Sequence, residues 1–308
     1  MAKVSIIVPS YNHNSFLKDR LDSIINQTFK DWELIIIDDD SNDGSKETLQ
    51  EFVKNNKSKV SRFIINKKNS GSGYQSWYTG INLVKSEYIW IAETDDYSDV
   101  TFLEEMIKTL DENKNVALAF CTSIYVDANK NYLYTSEKRT KDLEVNSNNK
   151  VFSGEVYVNK MPFNTYITNG SAVVFRKPKK EIPKELFKFK QCSDIFLWTY
   201  LLNNSSFVFL NKKLNYFRRH EDSTSEKISI HKKKSVYFEK AVFLNYYNQQ
   251  HKYKGFINHY LKFYIDFNRK NIFDIEPVLA IEGIKFLKLK YLFLVLNFFL
   301  NKFKTKNK

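Results

Sequence analysis

The 308 residues are 43% hydrophobic, with 26 Phe and 19 Tyr, enough for a sizeable core and too much chain for a peptide-sized binding module. Two cysteines, Cys121 and Cys192, with no C-x-x-C pairing and no histidine at metal spacing, exclude a disulfide framework and read as buried, inert thiols. The net charge of +13 is uneven: residues 226–308 hold 17 Lys/Arg against 6 Asp/Glu, so the first 225 residues are nearly neutral and the basic character belongs to the C-terminal segment.

In chain order, "KVSIIVPSY" is an apolar run that reads as a first strand, followed by Leu17, Leu21, Ile24, Ile25 and Thr28 on one helical face. The apolar stretch "VSIIV" is too short for a secretory leader and lacks a cleavage site after it, which leads to the expectation of a reducing, cytoplasmic compartment. "WELIIID" is a second strand bounded by the turn residues "DDSNDG", then come a polar helix over Ser45–Lys54 and a third strand, "VSRFIIN". A helix ending near Val84 leads to a fourth strand, "EYIWIAE", and then to a helix face of Phe102, Leu103, Met106, Ile107 and Leu110.

Strands alternating with helices predict an α/β fold, a mostly parallel Rossmann-like sheet flanked by helices, because parallel neighbours need crossovers and both sheet faces must be covered. Ligands in such sheets bind beyond the carboxyl ends of the strands. Pro9-Ser10-Tyr11, Asp38-Asp39-Asp40 and Glu93 to Asp96 are therefore expected at one rim.

From about residue 116 the texture changes. "VALAFCTSIYVD" and "GSAVVFRK" read as strands, with a long loop expected at about 128–165. The last 80 or so residues carry aromatics at helical spacing, such as Tyr260, Phe263, Tyr264 and Phe267, and predict a helical extension. The expected division is 1–115, 116–225 and 226–308.

Carboxylates crowded at a strand end repel one another and lose hydration, so a divalent cation resolves Glu93, Asp95 and Asp96, and hard Mg²⁺ or Mn²⁺ suits carboxylate and phosphate oxygens. The competing reading is a helix N-cap cluster, with Thr101-x-x-Glu104 as a capping box. Asp39 and Asp43 read equally as Asx-turn residues, Asp194 as a helix N-cap, and His220 as a surface histidine among charges. "GSG" at 71–73 lacks the spacing of a dinucleotide loop, which excludes a Rossmann oxidoreductase, and no P-loop occurs.

The ordered set "VSIIVPSYN", "ELIIIDDDSNDGS", "NSGSGYQSWYTGI", "SEYIWIAETDDY", "CSDIFLW" and "FRRHEDSTS", over roughly residues 3–225, resembles the inverting glycosyltransferases of family 2, which have the GT-A fold. The resemblance implies that Pro9, Ser10, Tyr11 and Asp39 hold the uridine of a UDP-sugar, an acceptor-only carboxylate facing the uracil N–H. It makes Asp96 the metal ligand, Asp95 a neighbour of ribose and metal, His220 a group that approaches the metal or diphosphate, and Asp194 the base that deprotonates the acceptor. Arg218 and Arg219 suit phosphate. Ser193 stands where the family more often has Glu, and Glu93 where it often has Asp.

Together these imply a metal-dependent hexosyl- or N-acetylhexosaminyl-transferase using Mn²⁺ or Mg²⁺. Its expected partners are a nucleotide-sugar donor and a glycan or lipid-linked glycan acceptor, with no nucleic acid. The competing classes are a non-enzymatic basic protein binding membrane or nucleic acid, and a degenerate transferase that only binds nucleotide.

In the basic tail the apolar segment Tyr291–Leu300 falls short of the ~20 residues needed to span a bilayer. Lys290, Asn297, Asn301, Lys304 and Lys308 form a polar stripe on a helix otherwise covered by Phe, Leu and Tyr, the pattern of an interfacial helix on an anionic membrane. Packing onto the catalytic domain and a dimer contact are the alternatives. The expected location is peripheral, on the inner face of the plasma membrane.

Overall fold

The first strand, β1 (Val4–Ser10), is a run of apolar side chains without polar alternation, which suits a strand covered on both faces. It lies between β2 (Trp32–Asp38) and β4 (Tyr88–Ile91), and β2 in turn pairs with β3 (Val60–Ile65), all parallel. The crossovers are α1 (Asn14–Ile25), α2 (Ser45–Asn55) and α3 (Gly73–Leu83). This computed structural model describes residues 2–143, 149–161 and 165–220, and in the C-terminal segment positions 236, 239–240, 265, 289 and 291–297.

Two glycines fix local geometry. Gly44, at φ 93°, makes the left-handed turn that launches α2. A Cβ on Gly80 would come within 2.5 Å of Ile7 Cγ2, so its absence lets α3 lie close on β1.

The second half extends the same sheet in mixed directions. Its strands are β5 (Tyr97–Ser98), β6 (Leu118–Val126), β7 (Tyr132–Thr135), β8 (Asn149–Ser153), β9 (Val173–Arg176) and β10 (Ser206–Arg218). The sheet order is β3-β2-β1-β4-β9-β6-β10-β5, with β7 on β6 and β8 on β10. β9 runs antiparallel to β4 and β6, whereas β6 and β10 are parallel. The α/β sheet flanked by helices is as expected, with its parallel character strongest in the first half.

Helix α4 (Phe102–Glu112) buries the predicted face of Phe102, Leu103, Met106, Ile107 and Leu110. Its start is not a capping box: Asp99 Oδ1 accepts from Thr101 N and Oγ1, while Glu104 accepts from Thr28 Oγ1. The expected loop at 128–165 is corrected, since it contains β7, α5 (Glu137–Thr140), β8 and α6 (Gly154–Lys160). These elements are short and carry many exposed side chains, so no apolar run marked them; Tyr132 is 66% exposed. The last helix of this half is α7 (Ser193–Leu202).

The chain divides into two compact units, Met1–Glu226 and Lys227–Lys308. In the second, positions 291–297 are helical, with Tyr291 and Val295 buried and Leu292, Phe293 and Leu296 exposed. Tyr260, Phe263, Tyr264, Phe267, Lys290, Asn301, Lys304 and Lys308 lie outside the described residues. Both cysteines are buried, and burial pushes the Cys121 thiol up to about 12.

Candidate active site

Parallel register brings the predicted rim together. Ser10 is level with Asp38 and Ile7 with Ile91, so the loops after β1, β2 and β4 leave the sheet side by side. Asp39 N donates to Ser10 O at 2.8 Å, and Thr94 Oγ1 donates to Pro9 O at 3.2 Å, which ties the three loops together.

The acidic run at the end of β4 splits into distinct environments. Asp96 is fully buried; its Oδ1 accepts from Arg218 N at 3.0 Å and its Oδ2 from Asn169 Nδ2. Asn169 Oδ1 accepts from Asn215 Nδ2, which also bonds Ser123 Oγ, so Asp96 anchors a network that joins β4 to β6 and β10. Burial, helped by the Asp95 charge, pushes the Asp96 carboxyl up to about 8.

Asp95 faces the opposite way, into the crevice. Its Oδ2 lies 3.3 Å from His220 Nε2. Burial by itself would raise this carboxyl, but the His220 hydrogen bond, with the nearby His13 and His220 rings, outweighs it and holds the group below its ordinary value. For Glu93 burial, then Asp96, Asp95 and Asp194, outweigh the nearby Arg20 and push the carboxyl well above the usual carboxylate range.

One buried cation balances this charge. Arg20, on the inner face of α1, is fully buried, donating from Nε to Glu93 O at 2.8 Å and from Nη2 to Ser171 Oγ at 3.0 Å. Burial lowers its guanidinium to about 10 against the pull of Asp96, Asp95 and Glu93, and it remains charged at neutral pH. The sequence carried a signal for it, an Arg among the buried positions Leu17, Leu21 and Ile24 of an amphipathic helix.

The structure brings together a different group of potential ligands. His13, Asp95 and His220 each offer one ligand atom, and these atoms lie within 4.8 Å of one another. Asp96 stands outside the group, its oxygens engaged by Asn169 and Arg218. His13 carried no signal of its own in the sequence; only its place in the loop after β1 hinted at the rim. Two imidazole nitrogens and a carboxylate oxygen form a donor set that fits a divalent first-row metal ion.

At the predicted nucleotide end, Tyr11 is exposed, while Ser10 is buried with its Oγ unpartnered among the described residues. Asp39 is nearly buried and holds the loop before α3: Asn66 Nδ2 donates to Oδ1 at 2.7 Å, Ser70 Oγ to Oδ2 at 2.7 Å, and Ser70 N is shared between them. These three donors make four hydrogen bonds, which take up the roughly four acceptor sites of a carboxylate. Asp43 makes the Asx contact to Ser45 N and also accepts from Asn14 N at the start of α1.

Asp194 lies in the first turn of α7, whose N-cap residue is Cys192. Tyr74 Oη donates to Asp194 Oδ1 at 3.1 Å. Leu197 and Trp198 are buried core. Arg218 is not available to phosphate: it is buried, pairs with Asp19 at 2.7 Å and stacks over Phe16.

A Rossmann-like sheet with acidic and histidine groups converging beyond its strand ends defines a GT-A glycosyltransferase. The model of "Glycosyl transferase family 2" matches residues 5–182, and the chain belongs to that family. It is 41% identical over 117 residues to the poly(ribitol-phosphate) beta-N-acetylglucosaminyltransferase TarP of Staphylococcus aureus, covering 37% of this chain and 35% of that protein. It is 33% identical over 132 residues to an uncharacterized glycosyltransferase of Methanocaldococcus jannaschii, covering 42% of this chain and 44% of that protein. These matches thus span well under half the length of either relative. Among solved structures, S. aureus TarS 1–349 in complex with UDP-GlcNAc is similar with a TM-score of 0.61 at 17% identity, covering 95% of this chain and 79% of that one.

Proposed function

We propose that this glycosyltransferase is inverting and divalent-metal-dependent, moving a hexosyl or N-acetylhexosaminyl group from a UDP-sugar to a hydroxyl of a bacterial surface glycan or its lipid-linked precursor. One observation carries the reading: beyond the aligned ends of β1, β2 and β4, His13, Asp95 and His220 bring ligand atoms within 4.8 Å of one another.

Within that crevice Asp95 and His220 hold the cation, Mn²⁺ or Mg²⁺, with Asp95 taking the role first expected of Asp96. When bound, the cation neutralises the charge that gathers on the diphosphate as UDP departs. Tyr11 stacks on the base, and Pro9, Ser10 and Asp39 line its pocket, Asp39 accepting the uracil N–H in place of one of its loop contacts. Asp194, held by Tyr74, takes the acceptor proton while the acceptor oxygen bonds to the anomeric carbon from the face opposite the diphosphate. The carbon–oxygen bond to the diphosphate breaks, and its electron pair leaves with UDP.

The UDP donor is supported by the similar fold of TarS, which was solved in complex with UDP-GlcNAc. A hydroxyl-rich surface polymer as acceptor is supported by the name of TarP, which acts on poly(ribitol-phosphate). The proposed location is cytoplasmic, peripheral on the inner face of the plasma membrane. Support comes from exposed Leu289, Leu292, Phe293 and Leu296, spaced along one helix face, and from seven lysines and no acidic residue over positions 284–308. Among the described residues no helix is long and apolar enough to cross a membrane. Nucleic acid is not among the proposed partners.

The test is a panel of UDP-, GDP- and CMP-sugars, scored by thermal shift and by nucleoside diphosphate release with Mn²⁺ or Mg²⁺ and after chelation. The expected result is a UDP-sugar preference and loss of turnover with EDTA; undiminished turnover without metal would refute the metal role.

A further inference from the structure

We propose that His13 is a third protein ligand of the cation, and that its imidazole makes the site select Mn²⁺ over Mg²⁺. This rests on the metal-dependent reading above and goes beyond its Asp95 and His220 ligands.

The ring of His13 has an outer partner. Thr94 Oγ1 is 2.8 Å from His13 Nδ1 and 3.2 Å from Pro9 O. When the hydroxyl donates to that carbonyl it accepts from Nδ1–H, which leaves Nε2 with a lone pair for a cation. Metal-binding histidines are oriented in this way, by an outer partner on the nitrogen opposite the metal.

The rings are also packed for the purpose. His13 and His220 meet edge to face with centroids 5.7 Å apart and an interplanar angle of 88°, and Phe16 lies against His220 at 4.6 Å and His13 at 6.1 Å. The Asp95–His220 contact at 3.3 Å is close to the separation of adjacent ligands on an octahedral ion, about 3 Å for bonds of about 2.1 Å. All three ligand atoms lie within 4.8 Å of one another, a spread that a single bound ion would draw together.

The ligand chemistry then sets the metal. Mg²⁺ prefers oxygen and near-ideal octahedral geometry, and it gives up its waters reluctantly, whereas imidazole nitrogen favours the later first-row ions. One imidazole beside a carboxylate and a diphosphate is an ordinary Mg²⁺/Mn²⁺ site; a second tips the balance toward Mn²⁺.

The experiment measures Mn²⁺ and Mg²⁺ binding directly, by free-Mn²⁺ electron paramagnetic resonance and Mg²⁺ competition, on the full chain with UDP and without a sugar donor. Unfolding in the absence of metal checks that each variant is folded. His13→Ala should weaken Mn²⁺ about ten- to a hundredfold, at least what loss of an outer-shell partner costs, and change Mg²⁺ affinity by less than about threefold. Thr94→Val, which keeps the ring and removes its acceptor, should weaken Mn²⁺ in the same direction. Wild-type Mn²⁺ affinity in His13→Ala, or equal losses for both ions, would overturn the proposal. Asp95→Ala separates the levels: if it abolishes Mn²⁺ binding while His13→Ala does not, only the His13 ligand is lost, and if neither matters, the metal-dependent reading falls with it.

Discussion

Adjacent carboxylates do opposite work at this site, and the difference is measurable. Asp96 is a buried acceptor whose removal strands the Arg218 N–H and the Asn169 amide, at a cost of about 1–3 kcal/mol each. Asp96→Ala should therefore lower the melting temperature of the metal-free protein by at least about 4 °C. Asp95→Ala should lower it less, because that side chain gives up only its His220 contact, while Mn²⁺ binding is lost. Calorimetry and metal titration on the two variants check this, and the opposite pattern would restore Asp96 as ligand. At the base, Asp194→Asn should lower kcat by about 10²–10⁴-fold with UDP affinity retained. Tyr74→Phe, which removes only the hydroxyl that holds Asp194, should lower kcat less and leave the donor KM unchanged. A Tyr74→Phe enzyme with wild-type kcat would deny it a positioning role.

The helices and strands show why some of this was readable and some was not. β1, β2 and β4 announce themselves because central parallel strands are buried on both faces and read as near-continuous apolar runs. Their turn-rich ends, Pro9 to Tyr11, Asp38 to Asp40 and Glu93 to Asp96, then follow at the rim from topology alone. β7 and β8 gave no such sign, since edge strands with exposed side chains look like loop. The different surroundings of Asp95 and Asp96 were unreadable because they depend on β10 and the residues after it, far along the chain. His13 was hidden for the same reason, its partners arriving from the loops after β4 and β10. Arg20 of α1 was within reach of pattern reasoning, as a charge on an apolar face. Because it is the buried counter-charge to three carboxylates, Arg20→Met should destabilise the metal-free protein by about 3 kcal/mol. Bound Mn²⁺ should recover part of the loss; an unchanged denaturation midpoint would show that the carboxylates are balanced otherwise.

Across the whole chain, the charge is distributed by task. The sheet-bearing unit is nearly neutral, while the C-terminal segment is strongly basic and presents leucines and Phe293, 63% exposed, on a helix face. An apolar stripe with flanking lysines suits an anionic bilayer surface. Deleting residues 284–308 should abolish co-sedimentation with vesicles rich in phosphatidylglycerol and spare transfer to a soluble acceptor; unchanged sedimentation would put the docking surface elsewhere. The central claim is that Asp194 drives an attack opposite the departing UDP, and the product's stereochemistry reports on it directly. Proton NMR of the product formed from an α-linked UDP-sugar should show a β-configured anomeric centre, and an α-configured product would contradict the mechanism.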